Sequence, residues 1–292
     1  MSEPILYCDG EYVPESRARL SPFDLGVQFG DGIYEVVSAW QGMVFRLDDH
    51  LQRLTDSLHA ARIDTGLDRQ AWAQIVCETA RRNGLRDAAI KIVVTRGVLP
   101  RGNPDPRAAK PSVRAFATPY AHLGSEEQRA KGIRLQIGHQ RGMAPDTLDP
   151  RYKHTARLQY QLAKIEALDS GYDDVVWLSA QGFVEEAPRS NLFLVKDGVL
   201  RTPALGVLHG ITRMTFCELA AELSIPVDAG NVTAFDLFVA DEVFTCSTSG
   251  AALPVREVSG RSIRGTIPGE LTQRLNALYW RKREAGWHGT RL

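Results

Sequence analysis

The chain has 292 residues, of which 43% are hydrophobic, and its 35 basic residues balance 35 acidic ones. This length suits one large domain or two ordinary ones, and the balanced charge gives no reason to expect nucleic acid or an anionic membrane as partner. No apolar stretch approaches the roughly 20 residues of a membrane span, so we expect a cytoplasmic protein. The four cysteines lack the spacing of metal ligands, which predicts reduced thiols and no metal site.

Hairpin and helix patterns alternate through residues 1–118, which we predict to be a small N-terminal domain. Asp-Gly and Gln-Gly pairs between short apolar runs are typical of β-hairpin turns. Leucines recur at helical spacing after Asp48 and Asp49, and one of these aspartates is the expected N-cap. The predicted elements are hairpins over 5–14 and 31–47, helices over 48–63 and 68–83, and strands over 89–96 and 112–118.

A polar segment, residues 119–124, is the predicted linker to a larger C-terminal domain over 125–292. Hairpins interleaved with helices continue there, which indicates an α+β protein and not a doubly wound parallel sheet. The predicted elements are strands over 133–140 and 242–246, helices over 155–170, 211–224 and 268–285, a strand-turn-strand over 173–187, a hairpin over 191–203 and a short element over 232–239.

Lys153 and Glu186 are the residues that most clearly indicate chemistry. The chain has only seven lysines against 28 arginines, so few compete for a nucleophilic role. Lys153 stands before an apolar-faced helix, and Glu186 precedes the apolar run LFLV. The turns LHGITR (208–213) and CSTSG (246–250) offer backbone N–H groups to an anion. A lysine, a carboxylate and two such turns are the parts that a pyridoxal 5'-phosphate (PLP) site needs.

Each of these residues is weak evidence alone, because most lysines and glutamates lie on protein surfaces. Glu185 adjoins Glu186 and should point to the other face of a strand, so only one of them can be the cofactor's partner. The chain has no G-x-x-x-x-G-K-[ST], G-x-G-x-x-G, H-E-x-x-H or G-x-S-x-G motif. Nucleotide, zinc and serine-hydrolase functions therefore lack their usual sequence signals.

Taken together and in this order, the segments from FDLGVQFGDGIYEVV (23–37) to STSGAALPV (247–255) resemble class IV (fold type IV) PLP-dependent aminotransferases. The resemblance implies an α+β, fold type IV enzyme with PLP in the cleft between two domains, and a homodimer. It makes Lys153 the Schiff-base lysine and general acid/base, and Glu186 the partner of the ring nitrogen. It assigns the phosphate contacts to Arg53, Ile211, Thr212, Ser247 and Thr248.

Within this family, QFGDGIYEVV and TRGVLPRGN (95–103) are most similar to D-amino acid aminotransferase, with (R)-selective amine transaminases also near. That similarity gives Tyr34 a place in the substrate pocket and makes Arg101 the anchor of the substrate carboxylate. Arg189 is a second candidate anion contact. Asn103 and the Ala187-Pro188-Arg189 run depart from the D-amino acid pattern, and Leu158 departs from the branched-chain pattern.

The expected reaction moves an amino group from a D-amino acid or (R)-amine to a 2-keto acid, with small molecules as the partners. Three alternatives remain open at this point. They are an L-branched-chain amino acid aminotransferase, a 4-amino-4-deoxychorismate lyase and a non-catalytic module that kept the fold.

Overall fold

The computed structural model describes residues 3–292, which divide into two units. The helices are α1 (Leu25–Phe29), α2 (Leu47–Ala60), α3 (Arg69–Arg82), α4 (Glu126–Lys131), α5 (Pro145–Leu148), α6 (Leu158–Asp169), α7 (Ile211–Glu222), α8 (Ala234–Val239) and α9 (Glu270–Glu284). The strands are β1 (Ile5–Cys8), β2 (Glu11–Pro14), β3 (Gly32–Trp40), β4 (Met43–Phe45), β5 (Ala88–Val98), β6 (Lys110–Pro119), β7 (Ile133–Arg141), β8 (Asp174–Leu178), β9 (Asn191–Lys196), β10 (Val199–Pro203), β11 (Val227–Gly230), β12 (Glu242–Ser247), β13 (Ala251–Val258), β14 (Arg261–Ser262) and β15 (Gly289–Arg291).

The first unit runs to Ala121 and also contains Tyr152–Arg157 and Arg283–Leu292. Its sheet has the strand order β15-β4-β3-β5-β6-β1-β2, and every neighbouring pair in it is antiparallel. The β1–β2 turn places Asp9 and Gly10 at φ values of 47° and 105°, which is the left-handed conformation that a two-residue hairpin requires. The predicted hairpins and strands of this region are present.

Helix α2 begins differently from the prediction. Its N-cap is Arg46, which adopts a left-handed conformation, and Asp48 and Asp49 lie in the first turn. The expectation that one of these aspartates caps the helix was therefore wrong. Asp49 instead accepts a hydrogen bond from Arg46 Nη1 at 3.0 Å, and both acidic groups complement the positive end of the helix dipole.

The second unit contains His122–Arg151 and Leu158–Lys282. Its sheet has the order β11-β10-β9-β12-β13-β7-β8, with β14 paired to β13. Strands β9, β12 and β13 pair antiparallel, whereas β13–β7 and β7–β8 are parallel. The mixture of sheets and helices confirms the predicted α+β fold class.

The division of the chain lies between Ala121 and His122, and two later segments belong to the first unit. The predicted C-terminal domain over 125–292 included Tyr152–Arg157 and Arg283–Leu292, which belong to the first unit in the structure. Helix α6 starts at Leu158 and not at 155, because residues 153–155 pair with β3: Tyr34 N donates to Lys153 O (2.8 Å) and Thr155 N to Gly32 O (2.9 Å). Across residues 3–292, no helix is both long enough and apolar enough to span a membrane.

Candidate active site

Strand β3 holds Lys153 in the first unit. The backbone bond between Tyr34 N and Lys153 O fixes the segment beside the strand, and Lys153 Nζ lies 4.9 Å from the centre of the Tyr34 ring. Both side chains are half-buried. The structure therefore brings together the predicted covalent lysine and the predicted substrate-pocket tyrosine.

Glu35, the residue after Tyr34, is a fully buried carboxylate with several donors around it. Its Oε2 accepts from Arg53 Nε at 2.9 Å, and its Oε1 accepts from Arg53 Nη2 at 2.7 Å and Val36 N at 2.9 Å. His50 Nδ1 lies 3.1 Å from the same Oε1. The bonds from Nε and Nη2 hold one edge of the guanidinium of Arg53, the predicted phosphate contact.

Charge explains why a carboxylate is stable in this position. Burial by itself would raise the pKa of Glu35, but Arg53, His50 and Lys153 outweigh it and hold the pKa well below its ordinary value. Burial also lowers the pKa of His50, which opposes a second positive charge beside Arg53. Glu35 is thus an ionised internal partner for Arg53, and it interacts electrostatically with Lys153.

Three cationic groups surround the Tyr34 ring. Lys91 Nζ lies 4.8 Å from the ring centre, Lys153 Nζ 4.9 Å and Arg157 Cζ 6.0 Å. Burial, and secondarily Arg157, lowers the pKa of Lys91. Within residues 3–292, no carboxylate forms an ion pair or hydrogen bond with Lys91. Like charges gathered in this way suit an anion that binds beside Tyr34.

Arg101 and Arg189, the two predicted carboxylate contacts, are exposed. Arg101 follows β5 in a turn, and Arg189 lies between Glu186 and β9. In the described part of the chain, no hydrogen bond, ion pair or ring contact joins Arg101 to Tyr34 or Lys153. Besides Lys153, the cations that this structure brings to Tyr34 are Lys91 and Arg157, neither of which was a predicted site residue.

Glu186 lies in the second unit and is buried. Its Oε2 accepts a hydrogen bond from Asn191 Nδ2 at 2.8 Å and one from Leu208 N at 3.0 Å. Asn191 Nδ2 also donates to Leu208 O at 2.9 Å. These bonds fix the carboxylate, and two donors on one oxygen stabilise its negative charge.

The same contacts connect Glu186 to the two turns predicted to bind phosphate. Asn191 pairs with Cys246 in the β9–β12 ladder, directly before Ser247 and Thr248. A Cβ on Gly210 would lie 1.9 Å from Asn191 Oδ1, so only glycine allows this close approach before α7.

Helix α7 begins at Ile211, with Thr212 next, and both residues are buried. The first backbone N–H groups of a helix have no acceptor within it, and the helix dipole is positive at that end. The helix start and the hydroxyl side chains offer hydrogen-bond donors to an anionic group, and the Glu186 carboxylate offers an acceptor to a protonated ring nitrogen.

Glu185 is also buried, but it differs from Glu186 in having no hydrogen-bond donor within residues 3–292. Burial raises its pKa to about 7. It lines a cavity of about 10 Å³ together with Gly142, Tyr160, Trp177 and Gly206. Only Glu186 of the two has hydrogen-bond donors on its carboxylate, and the choice of Glu186 as the cofactor's partner stays a prediction.

Sequence reasoning missed Glu35, His50, Lys91, Arg157 and Asn191. Glu35 carried a usable signal, because a single acid stands within the apolar strand pattern IYEVVSAW. Asn191 carried a weaker one, as a polar residue at the start of LFLV. Lys91 and Arg157 gave no signal, since their proximity depends on the return of residues 152–157 to the first unit.

The family model for class IV amino-transferases matches residues 32–258. A putative branched-chain-amino-acid aminotransferase of Methanocaldococcus jannaschii is 39% identical over 92% of this chain and 93% of its own length. D-alanine aminotransferase of Bacillus licheniformis is 28% identical over 91% of this chain and 92% of its own. The crystal structure of a T.th. branched-chain amino acid aminotransferase with pyridoxamine 5'-phosphate superposes with a TM-score of 0.92, at 26% identity, covering 100% of this chain and 99% of the other.

Proposed function

The chain belongs to the class IV aminotransferase family, and from this premise we propose that it transfers the amino group of an α-amino acid to a 2-keto acid. It is a PLP-dependent aminotransferase, with a small amino donor and a keto-acid acceptor as its substrates. The single observation that carries the choice of an α-amino acid is the group of cations around Tyr34.

The residues described above fit PLP. Lys153 would hold the cofactor covalently through Nζ, and Glu186 would accept a hydrogen bond from its ring nitrogen. Arg53, Ile211, Thr212, Ser247 and Thr248 would bind its phosphate through guanidinium, backbone N–H and hydroxyl groups. PLP, when bound, supplies the electron sink that stabilises the carbanion formed at the substrate Cα.

Lys153 is the proposed general base and acid. Its Nζ takes the proton from the substrate Cα and later returns it, because an amine so placed can transfer protons in both directions. Glu35 lies within electrostatic reach of this amine and bonds Arg53 directly, so it stabilises positive charge in the first unit. Asn191 orients the Glu186 carboxylate through the bond to Oε2.

The substrate carboxylate is proposed to bind beside Tyr34, between Lys91 and Arg157. A half-buried carboxylate there would gain charge-assisted hydrogen bonds and offset the repulsion between these two cations. Arg101 and Arg189 remain proposed carboxylate contacts as well, although both are exposed within this chain. An amine without a carboxylate gains nothing from these cations, so an (R)-amine should be the poorer donor.

Two donor classes have separate support. Identity of 39% to the putative branched-chain-amino-acid aminotransferase of Methanocaldococcus jannaschii favours a branched-chain amino acid, which we take as the L-enantiomer. The similarity of QFGDGIYEVV to D-amino acid aminotransferase favours a D-amino acid, and the Bacillus licheniformis relative carries that activity in its name. We rank the branched-chain L-amino acid first because the identity is higher.

A homodimer is proposed on the basis of exposed apolar surface. Helix α6 exposes Leu158, Leu162, Ile165 and Leu168, with between 45% and 72% of each accessible. Apolar side chains clustered on one helix face usually mark a protein interface. Light scattering should give twice the chain mass, and Leu162→Glu should shift the protein towards monomer.

The test of the proposed function compares L-leucine, D-alanine and (R)-1-phenylethylamine as donors to 2-oxoglutarate. We expect L-leucine to react fastest and the amine slowest. Arg157→Met should reduce kcat/KM for the amino acids at least tenfold while it leaves the amine rate within twofold, and Lys131→Met on the exposed α4 is the matched control.

Equal losses for amino acids and amine would show that Arg157 does not bind the carboxylate. The same comparison with Arg101→Ala decides whether Arg101 has that role. Release of product without any keto-acid acceptor would indicate the lyase alternative, and no turnover with any donor the non-catalytic one.

A further inference from the structure

Two consecutive glutamates, Glu185 and Glu186, lie side by side in the second unit with opposite surroundings. Glu185 is 3% exposed and Glu186 7% exposed, so both side chains are buried away from bulk water. Glu186 has two N–H donors on Oε2. Among the residues that the structure describes, none donates to the Glu185 carboxyl. Only one of these two carboxyls is therefore equipped for negative charge.

The fold makes specific room for Glu185. A Cβ on Gly142 would lie 1.4 Å from Glu185 Oε2, and a Cβ on Gly206 would lie 2.2 Å from Glu185 Oε1. Gly206 also has a φ of +69°, which favours glycine independently. The carboxyl is thus enclosed by two backbone segments that no other residue type could supply without displacement.

The Glu185 carboxyl faces a small cavity that Glu186 also lines. The cavity measures about 10 Å³, which is close to the smallest volume that holds one water molecule. Gln159 and Tyr160 from α6 and Trp177 from β8 complete its polar and aromatic wall. The polar lining residues Glu185, Glu186, Gln159 and Tyr160 carry the donors and acceptors that a buried water molecule requires.

Among residues 3–292, no basic side chain lines this cavity. The titratable residues that line it are Glu185, Glu186 and Tyr160. Arg141 and Arg151 adjoin lining segments in sequence, and Arg151 Nε bonds Asp149 at 3.0 Å. Burial is the cause that raises the pKa of Glu185 to about 7. An ionised Glu185 would have no hydrogen-bond donor or cation partner among residues 3–292 to compensate its burial.

We propose that Glu185 carries the proton of this glutamate pair and, through one water molecule in the cavity, keeps the negative charge on Glu186. Glu185 is then a positioning residue: its O–H donates to the water, and the charge that faces the cofactor ring stays with its neighbour. When the pH rises, Glu185 releases its proton to solvent and two carboxylates share the site. The role of Glu186 at the ring nitrogen rests on the proposed function, whereas the proton on Glu185 does not.

Infrared spectroscopy of the apoprotein tests the proton directly. A protonated carboxyl has a C=O stretch above the amide bands, and ¹³C-labelled glutamate shifts it. Wild-type protein should show this band at pH 6 and lose it with a midpoint near pH 7. Glu185→Gln should abolish it. Glu186→Gln, the matched control, should retain it, because the band belongs to Glu185 and burial raises the pKa of that carboxyl.

A band that disappears in Glu186→Gln and persists in Glu185→Gln would overturn the proposal. So would a wild-type spectrum without any protonated glutamate at pH 6, which settles the question even if a variant does not fold.

The holoenzyme supplies the second readout. Its visible absorbance should change with a midpoint near pH 7 in wild type, and Glu185→Gln should have the neutral-pH spectrum without that transition. An unchanged transition in the variant would contradict the link to Glu186. Failure of the wild type to bind PLP would instead count against the proposed function.

Discussion

Glu35→Gln should strongly destabilise the first unit. Glutamine keeps the size of the side chain but replaces one carboxylate oxygen with an NH₂ group. Arg53 Nε, Arg53 Nη2 and Val36 N all donate to these oxygens at 2.7–2.9 Å. The NH₂ group of glutamine would therefore face hydrogen-bond donors and find no acceptor among them. Removing one member of a buried ion pair typically costs about 3–5 kcal/mol, because the remaining charge stays buried.

Urea denaturation of the apoprotein measures this loss. With a slope of about 2 kcal/mol per molar urea, the midpoint should fall by roughly 2 M. The double variant Glu35→Gln/Arg53→Met is the control, since it removes both charges and should cost clearly less than the sum of the single changes.

The pH dependence of the loss has a definite sign. The pKa of Glu35 is lowered in the folded protein from an unfolded value of 4.5. Its stabilising contribution is therefore complete above pH 4.5 and declines as the pH falls towards the folded pKa. The difference between wild type and Glu35→Gln should be constant from pH 6 to 8 and shrink below 4.5. A variant within about 0.5 kcal/mol of wild type at neutral pH would refute this account of Glu35.

Lys153→Ala should lose both turnover and the visible absorbance of the cofactor, whereas Lys131→Ala on the exposed α4 should keep both; measurable transamination by the first variant would contradict the assigned general base. Asn191→Ala should weaken PLP binding about tenfold, as followed by equilibrium dialysis, since it removes a donor worth about 1–3 kcal/mol from Glu186. Gly206→Ala should lower the melting temperature much more than Gly198→Ala. Both glycines have positive φ, but only at Gly206 would a Cβ lie 2.2 Å from the Glu185 carboxyl. Equal melting temperatures of the two variants would argue against a fixed Glu185 carboxyl.

Local patterns in the sequence predicted most of the elements correctly. The turn residues at Asp9-Gly10 and Asp197-Gly198 have the positive φ values that such pairs allow, and both hairpins are present. The helix predicted over 68–83 is present as α3, and Asp68 is its N-cap. These features depend on neighbours within a few residues, so a single sequence contains the information.

Features that depend on distant contacts were not predictable in this way. The segment Tyr152–Arg157 returns to the first unit and thereby brings Arg157 to Tyr34. The strand expected after Gln181-Gly182 is not a regular one; it contributes only isolated bridges such as Leu178–Val184. The local periodicity of a sequence does not indicate which strand a later segment will pair with.

The predicted site was recoverable in part for the same reason. Lys153 and Glu186 stand in recognisable motifs, and the relatives confirm the family that those motifs indicated. Their supporting residues, Glu35 and Asn191, act by hydrogen bonds across the fold. Such partners become visible only once the side chains are placed.

Borohydride reduction of the purified holoenzyme, followed by mass-spectrometric mapping of the modified peptide, identifies the residue that holds the cofactor. Reduction converts a lysine-bound cofactor into a stable secondary amine, so the mass of the reduced adduct marks the residue that held it. We expect a phosphopyridoxyl mass on Lys153 and on none of the other six lysines. A label on another lysine, or no label in a protein that binds PLP, would contradict it.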